Sequence, residues 1–324
     1  MLTYEPKMKG LTDVPGIRVG HASDFDALTG CTAILFEGGA VGGVDIRGSA
    51  TGTSELDTLS PGHVTSRVHA IVFSGGSAFG LEAACGVRRY LGAHGVGFDT
   101  GVARVPIVPS AILFDLAIGK SGVRPGREMG EAAAAGASDA AVVEGCVGAG
   151  TGATVGKLFG MKRAMKSGIG SYSVSLPDGV IVAALIAVNA LGDVREPSTG
   201  KVIAGARVSE SSREFVNAQR AMLSGQTGGF GNTTLALVAT NAVLTKVMAG
   251  KLAALASIGV VRTIAPVNTM LDGDVTFAVS IGSKTAEIDV LGVAAIEAVE
   301  QSILRAVKSA KSMGGLPGLA GSAR

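Results

Sequence analysis

The sequence predicts an α/β fold with helices layered outside β-sheets, and three observations predict it. Runs of β-branched and aliphatic residues alternate along the chain with segments of helical periodicity. Two of those runs, residues 180–188 and 235–240, are apolar at nearly every position, which requires cover on both faces of a sheet. No Pro/Ser-rich linker or charge run divides the 324 residues, so a single domain is expected over residues 1–308.

The elements follow in order. Strands are expected at residues 32–36, 70–73, 180–188, 235–240 and 275–280, and a helix at 81–91. The Ala-rich stretch 131–141 reads most simply as a second helix. A third begins at Thr245, a suitable N-cap, and sets Met248, Leu252, Leu255, Ala256 and Gly259 on one face. The last helix, 287–308, carries Val290, Ala294, Ile296 and Val307 towards a sheet. Residues 309–324 are rich in Gly, Ser and Ala with little to bury, and a mobile tail is expected. The 49 glycines show no three-residue period, so they serve tight turns and close backbone approach.

Composition narrows the function. A net charge of +2 without a Lys/Arg cluster, no Trp and three Tyr argue against nucleic acid, which needs concentrated basic surface or stacking aromatics. Residues 1–10 have no apolar signal core, and the most apolar run is too short to span a bilayer, so a cytoplasmic protein is expected. Cys31, Cys85 and Cys146 lack metal-ligand spacing and read as small buried thiols. No cofactor and no structural metal is expected.

Gly231, Asn232, Thr233 and Thr234 precede the apolar run 235–239. The quartet suits an ordinary loop leading into a strand, and it also suits a precursor that cuts itself. A Thr hydroxyl needs an adjacent base to become a nucleophile. Cleavage in front of Thr233 would create an α-amine on the same residue, and such amines titrate near ~7.7–8.0. One residue would then hold nucleophile and base together. Two other glycine motifs carry less. The stretch 148–156 ends in Lys157, but Leu158 stands where a phosphate loop needs Ser or Thr. Gly75-Gly76-Ser77 lacks a full dinucleotide fingerprint.

An ordered series of segments carries a resemblance over most of the chain. It includes Gly16-Ile17-Arg18-Val19-Gly20-His21, Gly75-Gly76-Ser77-Ala78-Phe79-Gly80-Leu81-Glu82, Val105-Pro106-Ile107-Val108-Pro109 and Gly148-Ala149-Gly150-Thr151-Gly152-Ala153-Thr154-Val155-Gly156-Lys157. Val188-Asn189-Ala190, Gly231-Asn232-Thr233-Thr234 and Asp272-Gly273-Asp274 complete it. The chain resembles the self-processing aminopeptidases that include the L-aminopeptidase/D-esterase/amidases, the β-aminopeptidases and the nylon-oligomer hydrolases. That resemblance implies a four-layer α/β/β/α sandwich, a cut between Asn232 and Thr233 into an α part (1–232) and a β part (from 233), and a homo-oligomer, a tetramer of processed protomers. Alignment on Ala239-Thr240 selects Thr233 over Thr234 as nucleophile. The resemblance makes Asn189 an oxyanion donor, places Lys157 beside the nucleophile, and gives Asp272 and Asp274 the task of holding the new amine. Phe114 stands where some relatives carry Tyr, and Asn268 where many carry His, so substrate preference departs from the pattern. The expected activity is hydrolysis of small amides or peptides through an acyl intermediate on Thr233. Acyl transfer of the ornithine acetyltransferase type and a cleavage-incompetent binding protein are the alternatives.

Overall fold

The computed structural model describes residues 8–229 and 231–321. The elements that build the site are β1 (Arg18–Asp24), β2 (Thr29–Ile46), β3 (Val68–Ser74), α1 (Ala83–Ala93), β4 (Ser110–Ile112), α2 (Arg127–Ala135), β5 (Ile169–Ser175), β6 (Ile181–Asn189), β7 (Thr233–Ala242), α3 (Lys246–Thr263), β8 (Val275–Lys284) and α4 (Ile288–Lys308). Hydrogen-bonded neighbours run β5-β6-β7-β8-β2-β3-β4, with β1 on the side of β2. The β7/β8 and β3/β4 pairs are parallel, and the other pairs on this path are antiparallel.

One strand serves two sheets. Residues 31–35 of β2 pair with β1 and β3, whereas residues 41–46 pair with β8. Between them the register shifts, Glu37 and Gly38 emerge to solvent, and Gly39 takes φ +77°, a conformation that favours glycine. The bend stacks the two halves of the sheet face to face.

Side-chain alternation then sorts the core into three layers. Leu235, Leu237 and Ala239 of β7 meet Ile34, Phe73 and Phe277 between the sheets. Ala236 and Val238 point the other way, onto Leu252 of α3 and Val299 and Ile303 of α4. Ala33, Leu35, Ala70 and Val72 face Val87 and Leu91 of α1 and Ala133 of α2. The order is therefore helix, sheet, sheet, helix, which is the expected α/β/β/α sandwich and explains why β6 and β7 are apolar on both faces.

Differences from expectation have local causes. The Ala-rich helix stops at Ala135, because residues beyond Gly136 are diverted into a bridge between Ser138 and Val19 at the edge of β1, with N···O distances of 2.9 and 3.1 Å. α1 and α2 cross at Gly86 and Gly130, where an added Cβ would lie 1.8 and 1.9 Å from a backbone oxygen of the other helix. In α3, Thr245 caps Met248 N–H at 3.2 Å as expected. Leu252, Ala256 and Gly259 point inward, but Met248 is exposed, as is Val290 on α4. α3 is apolar around much of its circumference, so spacing alone does not single out the buried face. Cys85 is exposed on α1, whereas Cys31 and Cys146 are buried as expected.

The expected mobile tail is packed from residue 309 to 321. Leu316 joins Leu28, Ile118 and Ala164 in a small cluster, the Pro317 carbonyl accepts Lys166 N–H at 2.9 Å, and Ala320 N–H bonds Ala310 O at 2.9 Å. Backbone pairing holds a segment that its side chains alone would not. Residues 1–7 and 322–324, to which the expectations about the N-terminus and tail also applied, lie outside the described residues. Among the described residues no helix is long and apolar enough to cross a membrane.

Candidate active site

Three neighbouring strands bring distant residues to one edge. β6 ends at Asn189 and β7 begins at Thr233, and these two are direct partners in the ladder. β8 begins at Val275 beside Leu235, so the loop that feeds it runs next to residue 232, and Asn232 bridges Asp272. Register alone thus sets the Asp272-Gly273-Asp274 turn and Asn189 on either side of Thr233.

Thr233 is buried, and its hydroxyl lies 2.5 Å from the Asn232 carbonyl oxygen, the oxygen of the bond immediately before it. That oxygen also accepts the backbone N–H of Gly273 at 2.8 Å. The Asn232 amide donates to Gly229 O at 3.0 Å and Leu271 O at 3.2 Å, which pins the residue before Thr233. Gly231 takes φ +107°, and a Cβ there would sit 2.6 Å from the Phe114 ring. The motif needs glycine at that point on both counts.

Lys157 is buried rather than engaged in a surface ion pair. Its Nζ donates to Asn189 O at 2.8 Å, Asn189 Oδ1 at 2.9 Å and Gly231 O at 3.0 Å. Burial pulls its pKa down to about 7, opposed by the carboxylates of Asp272, Asp115 and Asp274. Three acceptors match the three hydrogens of an ammonium, so hydrogen bonding also opposes the loss of the proton.

Asn189 Oδ1 also accepts Thr154 N–H at 3.1 Å, and its Nδ2 donates to Phe114 O at 3.0 Å and weakly to Gly231 O at 3.5 Å. Donors on one side and carbonyls on the other determine which way the amide points. Asp274 accepts Thr234 N–H at 2.6 Å and Asn268 N–H at 3.0 Å. Burial, then the neighbouring Asp272, holds its pKa well above the usual carboxylate range. Asp272 accepts the N–H and hydroxyl of Thr269 at 2.9 and 2.7 Å. Asn268 sits at φ +57°, a left-handed turn that Asn tolerates.

All five residues singled out in the sequence, Thr233, Asn189, Lys157, Asp272 and Asp274, therefore meet in one buried cluster. Beside it is a cavity of about 110 Å³ whose walls include Phe114, Asp115, Thr154, Lys157, Gly231 and Asn232. Asp115 went unrecognised in the sequence. Its carboxylate accepts Thr29 Oγ1 and Gly76 N–H, both at 2.7 Å, and burial raises its pKa. A single Asp after an apolar segment looks like a turn residue, and its only signal was adjacency to Phe114. Lys166, also buried, donates to Thr151 O at 2.9 Å and Ala153 O at 2.6 Å, and so holds the glycine-rich loop.

The Lys157 environment predicts a pH signature. Its folded pKa lies below the ordinary 10.5, so from about pH 7 to 10.5 the unfolded chain binds the extra proton and stability rises with pH. Below that window the burial penalty is fully present. Lys157→Met should remove a slope of up to about 1.4 kcal/mol per pH unit. Urea unfolding at pH 6, 7.5 and 9, in a Thr233→Ala background, measures this, and an unchanged slope would contradict the environment described.

The matches to known proteins agree with this architecture. The solved structures it resembles include a Burkholderia sp. β-aminopeptidase, with TM-score 0.70 and 24% identity over 97% of this chain and 91% of that one. The L-aminopeptidase D-Ala-esterase/amidase of Ochrobactrum anthropi, described as a variant of the Ntn hydrolase fold, gives TM-score 0.73 at 19% identity, covering 95% and 88%. At such identities the likeness concerns the fold. In sequence, the chain is 38% identical to an uncharacterized aminopeptidase of Mycobacterium bovis, over 96% of both chains. It is 31% identical to the 6-aminohexanoate-oligomer endohydrolase of Kocuria sp., over 91% of this chain and 85% of that one. With the Peptidase family S58 model matching residues 9–320 as well, the chain belongs to peptidase family S58.

Proposed function

We propose that the chain cuts its own backbone between Asn232 and Thr233, and that the freed Thr233 then hydrolyses small amides or peptides through an acyl intermediate. The observation that carries this reading is the Thr233 hydroxyl 2.5 Å from the carbonyl oxygen of its own preceding bond, inside a buried site. In the cut, Thr233 Oγ bonds the Asn232 carbonyl carbon and the C–N bond breaks. The hydroxyl proton ends on the departing nitrogen. Water then splits the ester, leaving an Asn232 carboxylate and a Thr233 that holds hydroxyl and amine together.

In turnover the new amine takes the hydroxyl proton, and Asp272 and Asp274 anchor that amine. Lys157 favours its neutral form by charge repulsion and favours loss of the hydroxyl proton. Asn189 Nδ2, which donates to the cavity-lining residues Phe114 and Gly231 through their carbonyls, suits a donor to the oxyanion of the tetrahedral intermediate. The likeness to a Mycobacterium bovis aminopeptidase and to a Kocuria 6-aminohexanoate-oligomer endohydrolase supports an amide substrate. A small cavity with the Asp115 carboxylate in its wall suits a short substrate bearing an amine. Mass spectrometry and N-terminal sequencing of the purified protein should find a second N-terminus reading Thr-Thr-Leu. A start at Thr234, or a chain that stays whole on long incubation, contradicts the proposal.

The same proposal extends to assembly as a tetramer of cut protomers in the cytoplasm. Val247, Val261 and Val293 stand 62%, 47% and 69% exposed on α3 and α4, apolar surface that a partner subunit would cover. Light scattering at micromolar concentration should give a multiple of the 32.2 kDa chain mass, and the mass of one protomer would refute the assembly.

A further inference from the structure

We infer that self-cleavage and substrate turnover use different oxyanion donors, and that the donor for self-cleavage is the backbone N–H of Gly273. The inference rests on the cut at Asn232–Thr233 proposed above.

The scissile carbonyl is the Asn232 C=O, and Gly273 N–H reaches its oxygen at 2.8 Å. The donor thus already holds the oxygen that becomes the oxyanion, and the small movement of that oxygen on attack keeps it near the roughly 2.7–3.1 Å at which a donor stabilises the charge. The donor is held before the reaction starts. Asp272 O accepts Ala50 N–H at 2.8 Å, and Asp274 O accepts the N–H groups of Arg47 and Gly48, both at 3.1 Å, so the turn is clamped on each side of Gly273. The side chains of Asp272 and Asp274 are tied to Thr269, Asn268 and Thr234. A Cβ on residue 273 would lie 2.7 Å from Ala50 O and 3.1 Å from Thr233 Oγ1, so the donor comes this near the nucleophile because residue 273 is glycine.

Asn189 is aimed elsewhere. Its Nδ2 donates to Phe114 O and Gly231 O, both belonging to residues that line the cavity, and its Oδ1 is taken by Lys157 and Thr154. As the Oγ–C bond forms, the carbonyl π pair moves onto the Asn232 oxygen, where Gly273 N–H meets it. Collapse returns that pair to the carbonyl and breaks the C–N bond, whose own electron pair leaves with the nitrogen, which takes the hydroxyl proton. Once the chain is cut, Gly231 is on the released end, and Asn189 Nδ2 is available to a substrate carbonyl entering from the cavity.

The test replaces the Gly273 amide with an ester in the full 324-residue chain, by inserting glycolic acid at position 273, so that N–H becomes O with no added bulk. Self-cleavage, followed as the decay of whole chain on a gel, should slow by about 100–1000-fold, the usual effect of losing one oxyanion donor. Turnover per mole of chain eventually cut should match the parent. The ester also weakens Asp272 O as an acceptor, so a second chain carries lactic acid at position 50 to remove the Ala50 N–H that bonds it. This chain should cut at close to the parent rate. Cleavage of the 273 ester at the parent rate, or equal slowing by the ester at 50, overturns the inference. A parent chain that never cuts overturns the underlying proposal instead. Should the 273 ester fail to fold, the crystal structure of the uncut Thr233→Ala chain decides: Gly273 N–H within hydrogen-bond reach of Asn232 O supports the inference, and Asn189 Nδ2 in its place refutes it.

Discussion

Thr233→Ala is expected to leave the chain whole and to abolish turnover together. The Thr233 hydroxyl is hydrogen-bonded to the Asn232 carbonyl oxygen at 2.5 Å, so its removal takes away the attacking atom of the proposed cut. Under the proposed mechanism it takes away the nucleophile of the second reaction as well, because both would use the same oxygen. Loss of a hydroxyl nucleophile costs on the order of 10⁶-fold in rate elsewhere. Thr233→Ser keeps the oxygen and should keep both reactions. Thr234→Ala is the control for register. Thr234 reaches Asp274 through its backbone N–H, which alanine retains, so this variant should both cut and turn over. Gel analysis of each purified variant, followed by an assay on a short amide, reads the outcome. If Thr234→Ala stayed whole while Thr233→Ala was cut, the nucleophile would be the second threonine.

The second large effect is expected at Asn189. Removing an oxyanion donor costs about 100–1000-fold in kcat with little change in KM, since the donor acts mainly on charge that appears in the transition state. Asn189 is fully buried, and its oxygen also serves Lys157 and Thr154. In Asn189→Ala those donors are left short of an acceptor, at about 1–3 kcal/mol for each buried group. A fall in rate could then reflect a misplaced Lys157. Asn189→Asp separates the two effects, because a carboxylate still accepts from Lys157 and Thr154 but donates nothing. Both variants should lose kcat to a similar extent while circular dichroism stays that of the parent. A near-parent kcat in Asn189→Asp would remove Asn189 from the role of donor and leave it as a support for Lys157.

How much of this was legible beforehand depended on how local the signal was. The runs that became β6 and β7 were readable because covering both faces of a sheet demands apolar residues at every position, and the sequence records that demand directly. Thr245 was readable as a cap because its hydroxyl bonds an N–H three residues away. The end of α2 was not, since Ala-rich sequence favours helix beyond residue 135 and only the pairing of Ser138 with Val19 diverts it. Nor was the packing of residues 309–321, which depends on the Pro317 carbonyl meeting Lys166 from far away in the chain.

The same division runs through the site. From the sequence by itself came the α/β class, the apolar strands, and, through ordered motifs, the set Thr233, Asn189, Lys157, Asp272 and Asp274. Their meeting place was decided by tertiary structure: the register that sets Asn189 opposite Thr233, the bend in β2 that stacks two sheets, and the burial that displaces the Lys157 and Asp274 protonation equilibria. Asp115 and the Gly273 N–H belong wholly to that second group. A backbone donor has no side chain for a sequence to display, and a carboxylate draws its meaning from what surrounds it. Chemistry carried by residue type can be read along the chain, whereas chemistry made by proximity exists only after long-range pairing has closed the loops between the segments.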